Sequence, residues 1–196
     1  DNGMNQVLVN RPVLEEYIRR QYPGFKLISS TTKRITGLDG LLEELNKDYF
    51  LVVLDYDLNH NEEVLSAIGK QADKVEILVN EICYPGCPKR SEHYRQQSQM
   101  QLEYDIDTAF PCPNKTRERK FEECKERPSF ISREQICEYA DRGFVNFKIV
   151  GRGMPMDFVK ESYLYYLVKD DSRAFIRNKM ESTLNQFAQA MRKRKA

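Results

Sequence analysis

The chain has 196 residues, 40% of them apolar and 31% charged, so it can bury one sizeable core, and a disordered tail is excluded as its character. Lys and Arg number 31 against 30 Asp and Glu, for a net charge of +1, which excludes a general polyanion coat because that needs a lopsided balance. No apolar run approaches the roughly 18–20 residues of a bilayer span, and the opening DNGMNQ has neither the basic nor the apolar stretch of a signal peptide. A cytoplasmic location is therefore expected, and the lack of an initiator Met points to an upstream segment that has been removed.

Taken in chain order, short apolar runs alternate with helical patterns. VLVN (7–10) predicts a strand, followed by the helix RPVLEEYIRRQ with Asn10 as its cap and Pro23–Gly24 as its stop. FKLISST (25–31) predicts a second strand and LDGLLEELNK a second helix. YFLVVLDYD (49–57) is continuously apolar, as a strand covered on both faces should be. Asn61 is placed to cap EEVLSAIGKQA, and VEILVNE (75–81) predicts a fourth strand. The rhythm then breaks at about 82–130. It resumes with Ser132 and Gln135 in a capping-box spacing before ICEYADR, and Gly143 is the expected helix stop. FVNFKIVGRG (144–153) predicts a fifth strand, and PMDFVKESYLYYLVKD and a helix at about 171–193 complete the chain. The final RKRK is expected to be a solvated helix end whose cations suit the helix dipole.

Strand–helix–strand alternation with short links implies right-handed βαβ units in a parallel sheet. Five units are present, whereas a closed (β/α)8 barrel has eight in about 250 residues. The expected fold is thus a single α/β domain, the C-terminal portion of a TIM-type barrel with a Cys-containing insertion. Its open edge would need covering, so a homo- or hetero-oligomer is expected.

In such folds the chemistry lies at the carboxyl ends of the strands. Those ends carry Asn10, Ser29 to Thr32, Asp55 to Asn59, Asn80–Glu81–Cys83, and Lys148 with Gly151–Arg152–Gly153. Asp55, Asn80 and Arg152 are the candidates for binding substrate; Arg152, between two glycines, reads as an anion clamp or a solvent-facing turn. Lys148 alternates with Phe147 and Ile149, so it faces the other side of its strand. There it binds an anionic group, acts as a base, or pairs with Glu81 or Asp55. Glu81 is a candidate for proton transfer, and His93 is a general base, a ligand or a structural histidine.

Cys83 and Cys87 share one tight loop turned by Pro85–Gly86, while Cys112 and Cys124 lie in the insertion. A long irregular loop needs something to hold it, and a four-cysteine centre would do so. Thiolates suit zinc or a [4Fe–4S] cluster, although the intervals of 3, 24 and 11 residues match neither common pattern. The alternative is that all the thiols are free and buried. Cys137, beside Ile136, is expected in the core.

EILVNEICYPGC together with ICEYADRGFVNFKIVGRG resembles the collagenase-like peptidases of unassigned catalytic type, family thirty-two. Cys83, Cys87 and Lys148 to Arg152 fall on that family's motifs, over roughly Val75 to Leu167, with a shorter interval between the first two cysteines. The resemblance implies a TIM-type barrel. It also implies either a metal-dependent protease or an iron–sulfur protein of oxygen-independent hydroxylation, with its cluster held by four cysteines. No HExxH or GxSxG occurs in the chain. The resulting expectation is an enzyme with a Cys-ligated [4Fe–4S] centre acting on an anionic substrate. The alternatives are a zinc-stabilised hydrolase and a scaffold subunit without metal.

Overall fold

Five parallel strands lie side by side in chain order: β1 (Gln6–Val9), β2 (Lys26–Ser29), β3 (Leu51–Val53), β4 (Val75–Leu78) and β5 (Asn146–Lys148). The computed structural model describes residues 4–103, 110–112, 119–151 and 153–193. Each strand is in register with the next, Val9 with Ser29, Ile28 with Leu51, Val52 with Val75 and Ile77 with Phe147. Every crossover steps to the next neighbour in the same direction, so right-handed connections deliver the helices to one face. A doubly wound sheet would instead reverse its strand order. This is the winding of a TIM-type barrel, with five strands among the described residues.

The helices are α1 (Pro12–Gln21), α2 (Leu38–Leu45), α3 (Glu62–Ile68), α4 (Arg90–Glu103), α5 (Phe121–Lys125), α6 (Arg133–Asp141), α7 (Met156–Leu167) and α8 (Arg173–Lys193). Ile18 of α1, Leu41 and Leu45 of α2, Val64, Leu65 and Ile68 of α3 and Tyr139 of α6 pack on Val9, Leu27, Val52, Val75 and Ile77 of the sheet. Because side chains alternate along a strand, the other face presents Ile28, Leu51, Val53 and Leu78 as a smaller cluster. Lys148 shares that face, opposite Leu78 in the register, and bonds Glu76 Oε2 at 2.7 Å.

The expected caps at Asn61 and Ser132 and the stop at Gly143 form, whereas the expected cap at Asn10 does not. Asn61 Oδ1 accepts the Val64 N–H at 3.1 Å, and Ser132 and Gln135 form the reciprocal capping box. Gly143 closes α6 at a φ of 96°, a left-handed conformation that glycine adopts without steric cost. At α1 the cap position belongs to Arg11 rather than Asn10, because Asn10 donates its side-chain amide to Thr32 Oγ1.

The insertion contributes more structure than its composition predicts. Phe121 and Cys124 of α5 join Ile82 and Phe158 in a buried cluster flanked by Phe130, Met154, Tyr165 and Tyr166. Phe121 meets four aromatic rings at centroid distances of 5.4–6.2 Å, so the described part of the insertion is fastened by aromatic packing. Among the described residues, no helix is long and apolar enough to cross a membrane.

Candidate functional site

Beyond the carboxyl end of β4 the chain bends back on itself. Glu81 Oε1 accepts the Cys83 N–H at 2.9 Å, fixing the first step of the turn, and Gly86 takes a φ of 66° where a side chain would be strained. The Arg90 N–H bonds the Cys87 carbonyl at 3.1 Å, which starts α4. Arg90, His93, Tyr94 and Gln97 then follow one another on a single helix face. None of the α4 residues is fully buried; the helix packs through a polar face, and that face lines a cleft.

The cleft has a volume of about 230 Å³ and is walled by Glu81, Cys83, Arg90, His93, Cys112, Arg119, Glu123 and Arg127, among others. Arg90 Nη2 donates to Glu81 Oε2 at 3.2 Å and to Tyr94 Oη at 2.6 Å. Its guanidinium lies over the Tyr94 ring at 4.2 Å and the Tyr56 ring at 5.3 Å. Burial pushes the Cys83 thiol pKa up, against the pull of Arg90. Burial lowers the pKa of His93, and the neighbouring Arg90 and Arg119 lower it further, so its imidazole is neutral at pH 7. The ring stacks on Phe110 at 4.5 Å with a 3° interplanar angle. A larger groove beside the cleft is lined by Asn10, Ser30, Thr32, Lys33 and Arg34, and it shares Tyr94, Gln97 and Gly153 with the cleft.

Glu81, His93, Cys83 and Cys112 thus line one cleft, whereas Asn80, Asp55, Lys148 and Cys124 do not. Asn80 is fully buried; its amide donates to the Val150 carbonyl at 2.9 Å and Ser162 Oγ at 3.2 Å, and its oxygen accepts the Val150 N–H at 2.6 Å. It acts as a clamp on the chain leaving β5, not as a group presented to substrate. The same clamp explains why β5 stops at Lys148, since the Val150 backbone bonds a side chain in place of a neighbouring strand. Asp55 accepts the Asp57 N–H at 3.1 Å and both its oxygens take Arg34 Nη1 at 2.7 Å. Burial nevertheless pushes its pKa up to about 6. Lys148 pairs with Glu76 rather than with Glu81 or Asp55 and does not line the cleft. Arg152 lies outside the described residues.

The cysteines converge only in part. Cys83 and Cys112 line one cleft, and Cys87 sits on the same turn as Cys83, half-buried. Cys124 instead points its thiol at the Glu81 carbonyl, 3.8 Å away, from inside the aromatic cluster. Burial, with Glu81 nearby, pushes that thiol up to about 12, so it stays protonated. Among the described residues no three of His, Cys, Asp or Glu are gathered closely enough to hold a metal ion. Among the described residues, then, the four cysteines are not gathered into one ligand set for a cluster or a zinc ion. Cys137, expected in the core, is exposed; one helical step of about 100° carries it past Ile136, which packs inward.

Sequence reasoning missed Arg90, Arg119, Glu123 and Arg127. The available signal was the pairing of Arg90 with Tyr94 four residues on, directly after a cysteine turn. Arg127 gave none, because its meaning depends on where the insertion folds.

No family model and no solved structure matches the chain. It is similar to an uncharacterized protease of Methanocaldococcus jannaschii, 27% identical over 171 residues, or 84% of this chain. The chain spans about half the length of that protein, the matched part being 50% of it.

Proposed function

We propose that the cleft above β4 is the reaction site of a barrel-type enzyme acting on an anionic substrate. In this reading Glu81 and His93 move protons, Cys83 is the thiol beside them, and Arg90 holds Glu81 in place. The observation that carries it is the bonded chain Cys83 N–H to Glu81 to Arg90 to Tyr94 at the edge of one small cleft. A carboxylate oriented by fixed donors beside a neutral imidazole is the arrangement that acid–base chemistry needs. The likeness to a protein named as a protease makes a peptide amide the first bond to try. Since the sulfurs as placed do not form a ligand set, the reading routes no step through a metal.

The test is mass-spectrometric profiling of a peptide library treated with the full chain, its Glu81→Gln variant and, as a control distant from the cleft, Cys137→Ser. Glu81→Gln is expected to lower turnover roughly 100-fold or more, with Cys137→Ser unchanged. Turnover that survives Glu81→Gln places the chemistry elsewhere. Absence of turnover, together with stoichiometric iron or zinc in anaerobically purified protein, would put the [4Fe–4S] or zinc reading in its place.

A further inference from the structure

The last helix outruns the body it packs on. α8 lies antiparallel to α7: Arg173 Nε donates to the Leu164 carbonyl at 3.2 Å, Arg177 Nε and Nη2 hold the two oxygens of Glu161 at 3.0 and 2.6 Å, and Lys160 Nζ reaches Glu181 Oε1 at 2.8 Å. Extending that pairing puts Met156, the first residue of α7, level with about Leu184, yet α8 runs on to Lys193. At about 1.5 Å per residue the overhang is roughly 13 Å long. Because α7 begins where the chain has left the carboxyl end of β5, the overhang stands at the same end of the sheet as the cleft.

Its apolar side is uncovered. On the body, Ile176, Met180 and Leu184 form a half-buried apolar line along α8. At about 100° per residue Phe187 and Met191 continue that line, all five falling within roughly 80° of one another. Phe187 is nevertheless 65% exposed and Met191 40%, and every residue from Asn185 to Lys193 is exposed. A core-facing stripe that continues past the core is an interaction surface.

The charge pattern selects the occupant. From Ser182 onward the sequence has four cations, Arg192, Lys193, Arg194 and Lys195, and neither Asp nor Glu. They follow Met191 directly, while Asn185, Gln186 and Gln189 on the polar side are uncharged. A second copy would bring more cations rather than their complement, and a nucleic acid would leave the apolar stripe unused. A protein groove is chosen in register by charges along the flank of a helix, and this flank has none. An anionic lipid surface matches both halves of the pattern: its headgroup–acyl boundary takes the stripe, its headgroups take the cations, and no register is needed.

We infer that the α8 overhang binds an anionic lipid surface, Phe187 and Met191 entering the headgroup–acyl boundary and the cations from Arg192 onward meeting the headgroups. The carboxyl-end cleft is thereby held near the membrane. This stands apart from the reaction-site reading, and neither depends on the other.

Co-sedimentation of the full chain with vesicles tests it. One set is an equimolar mixture of phosphatidylglycerol and phosphatidylcholine, the other phosphatidylcholine alone. Partition onto the anionic set is expected to be roughly 100-fold stronger or more, each Lys or Arg contributing about fivefold at an anionic surface. Salt at about 0.5 M should weaken it by screening. Arg192→Gln with Lys193→Gln should lower it roughly 20-fold, and Phe187→Ser with Met191→Ser roughly tenfold or more. All four positions are exposed, so circular dichroism should show each variant folded. Phe175→Ser, 69% exposed at the other end of α8, is the control and should bind as the unaltered chain does. Equal partition onto the two sets, no partition onto either, or anionic binding that survives Phe187→Ser with Met191→Ser overturns the inference. A dimer of the lipid-free chain that the same substitutions dissociate, measured by light scattering, overturns it in favour of a second copy. Heparin binding as tight as vesicle binding and indifferent to Phe187→Ser overturns it in favour of a soluble polyanion.

Discussion

Burial separates the cysteines more sharply than their order along the chain does. Cys137 is exposed while Cys83 and Cys124 are buried with raised pKa values, and only a thiolate attacks an alkylating reagent. Iodoacetamide at pH 8 followed by peptide mapping is therefore expected to label Cys137 first. Cys124 should be labelled only when the chain is unfolded; early labelling of Cys124 would contradict its place in the aromatic cluster. A second residue, Glu44, carries a comparable burden. Glu44 is 3% exposed and bonds Ser29 Oγ at 2.5 Å, Lys33 Nζ at 2.6 Å and Lys47 Nζ at 2.9 Å. Replacing it with Gln leaves Lys33 without its closest anion, and removing one member of a buried pair costs about 3 kcal/mol. Urea denaturation of Glu44→Gln should show that loss as a lower midpoint with an unchanged slope.

At the level of elements, short polar devices decide where helices and strands begin and end. The Ser132 capping box was legible in the sequence because both partners lie within one turn, and Ser132→Ala is expected to remove about 1 kcal/mol. For a chain of this size that is a fall of about 2–4 °C in melting temperature, measurable by circular dichroism. The Asn80 clamp was not legible, since its partners Val150 and Ser162 lie 70 and 82 residues away. Asn80→Ala orphans both backbone groups of Val150 and should destabilise by about 2–3 kcal/mol, a larger loss than the cap despite the similar chemistry. Helix α4 teaches the complementary lesson. Its sequence offers no apolar stripe, yet Arg90 ties it to the end of β4 through its bond to Glu81.

For the whole molecule, two carboxylates shape stability against pH in opposite senses. Burial alone would raise Glu44, but the hydrogen bonds from Lys33, Lys47 and Ser29 bring it down to about 2 from an ordinary 4.5. Its stabilising contribution is therefore complete above pH 4.5 and is lost as pH falls toward 2. Asp55 is raised to about 6 from 3.8, so the folded state holds that proton more tightly, and stability declines as pH rises from about 4 to about 6. Melting curves from pH 2 to 8 should show both limbs, with the acid limb flattened in Glu44→Gln and the other in Asp55→Asn. An unaltered acid limb in Glu44→Gln would refute the first assignment.

Read alone, the sequence determined the parallel order of the five described strands, the caps at Asn61 and Ser132 and the stop at Gly143. Those features follow from periodicities and spacings that act within a few residues. Tertiary structure alone decided that Cys124 serves the core, that Lys148 answers Glu76, and that Arg127 and Glu123 line the cleft. Each of those outcomes depends on where a segment dozens of residues away comes to rest, and burial, which governs both a thiol's protonation and the need of a guanidinium for a partner, exists only once the chain has packed.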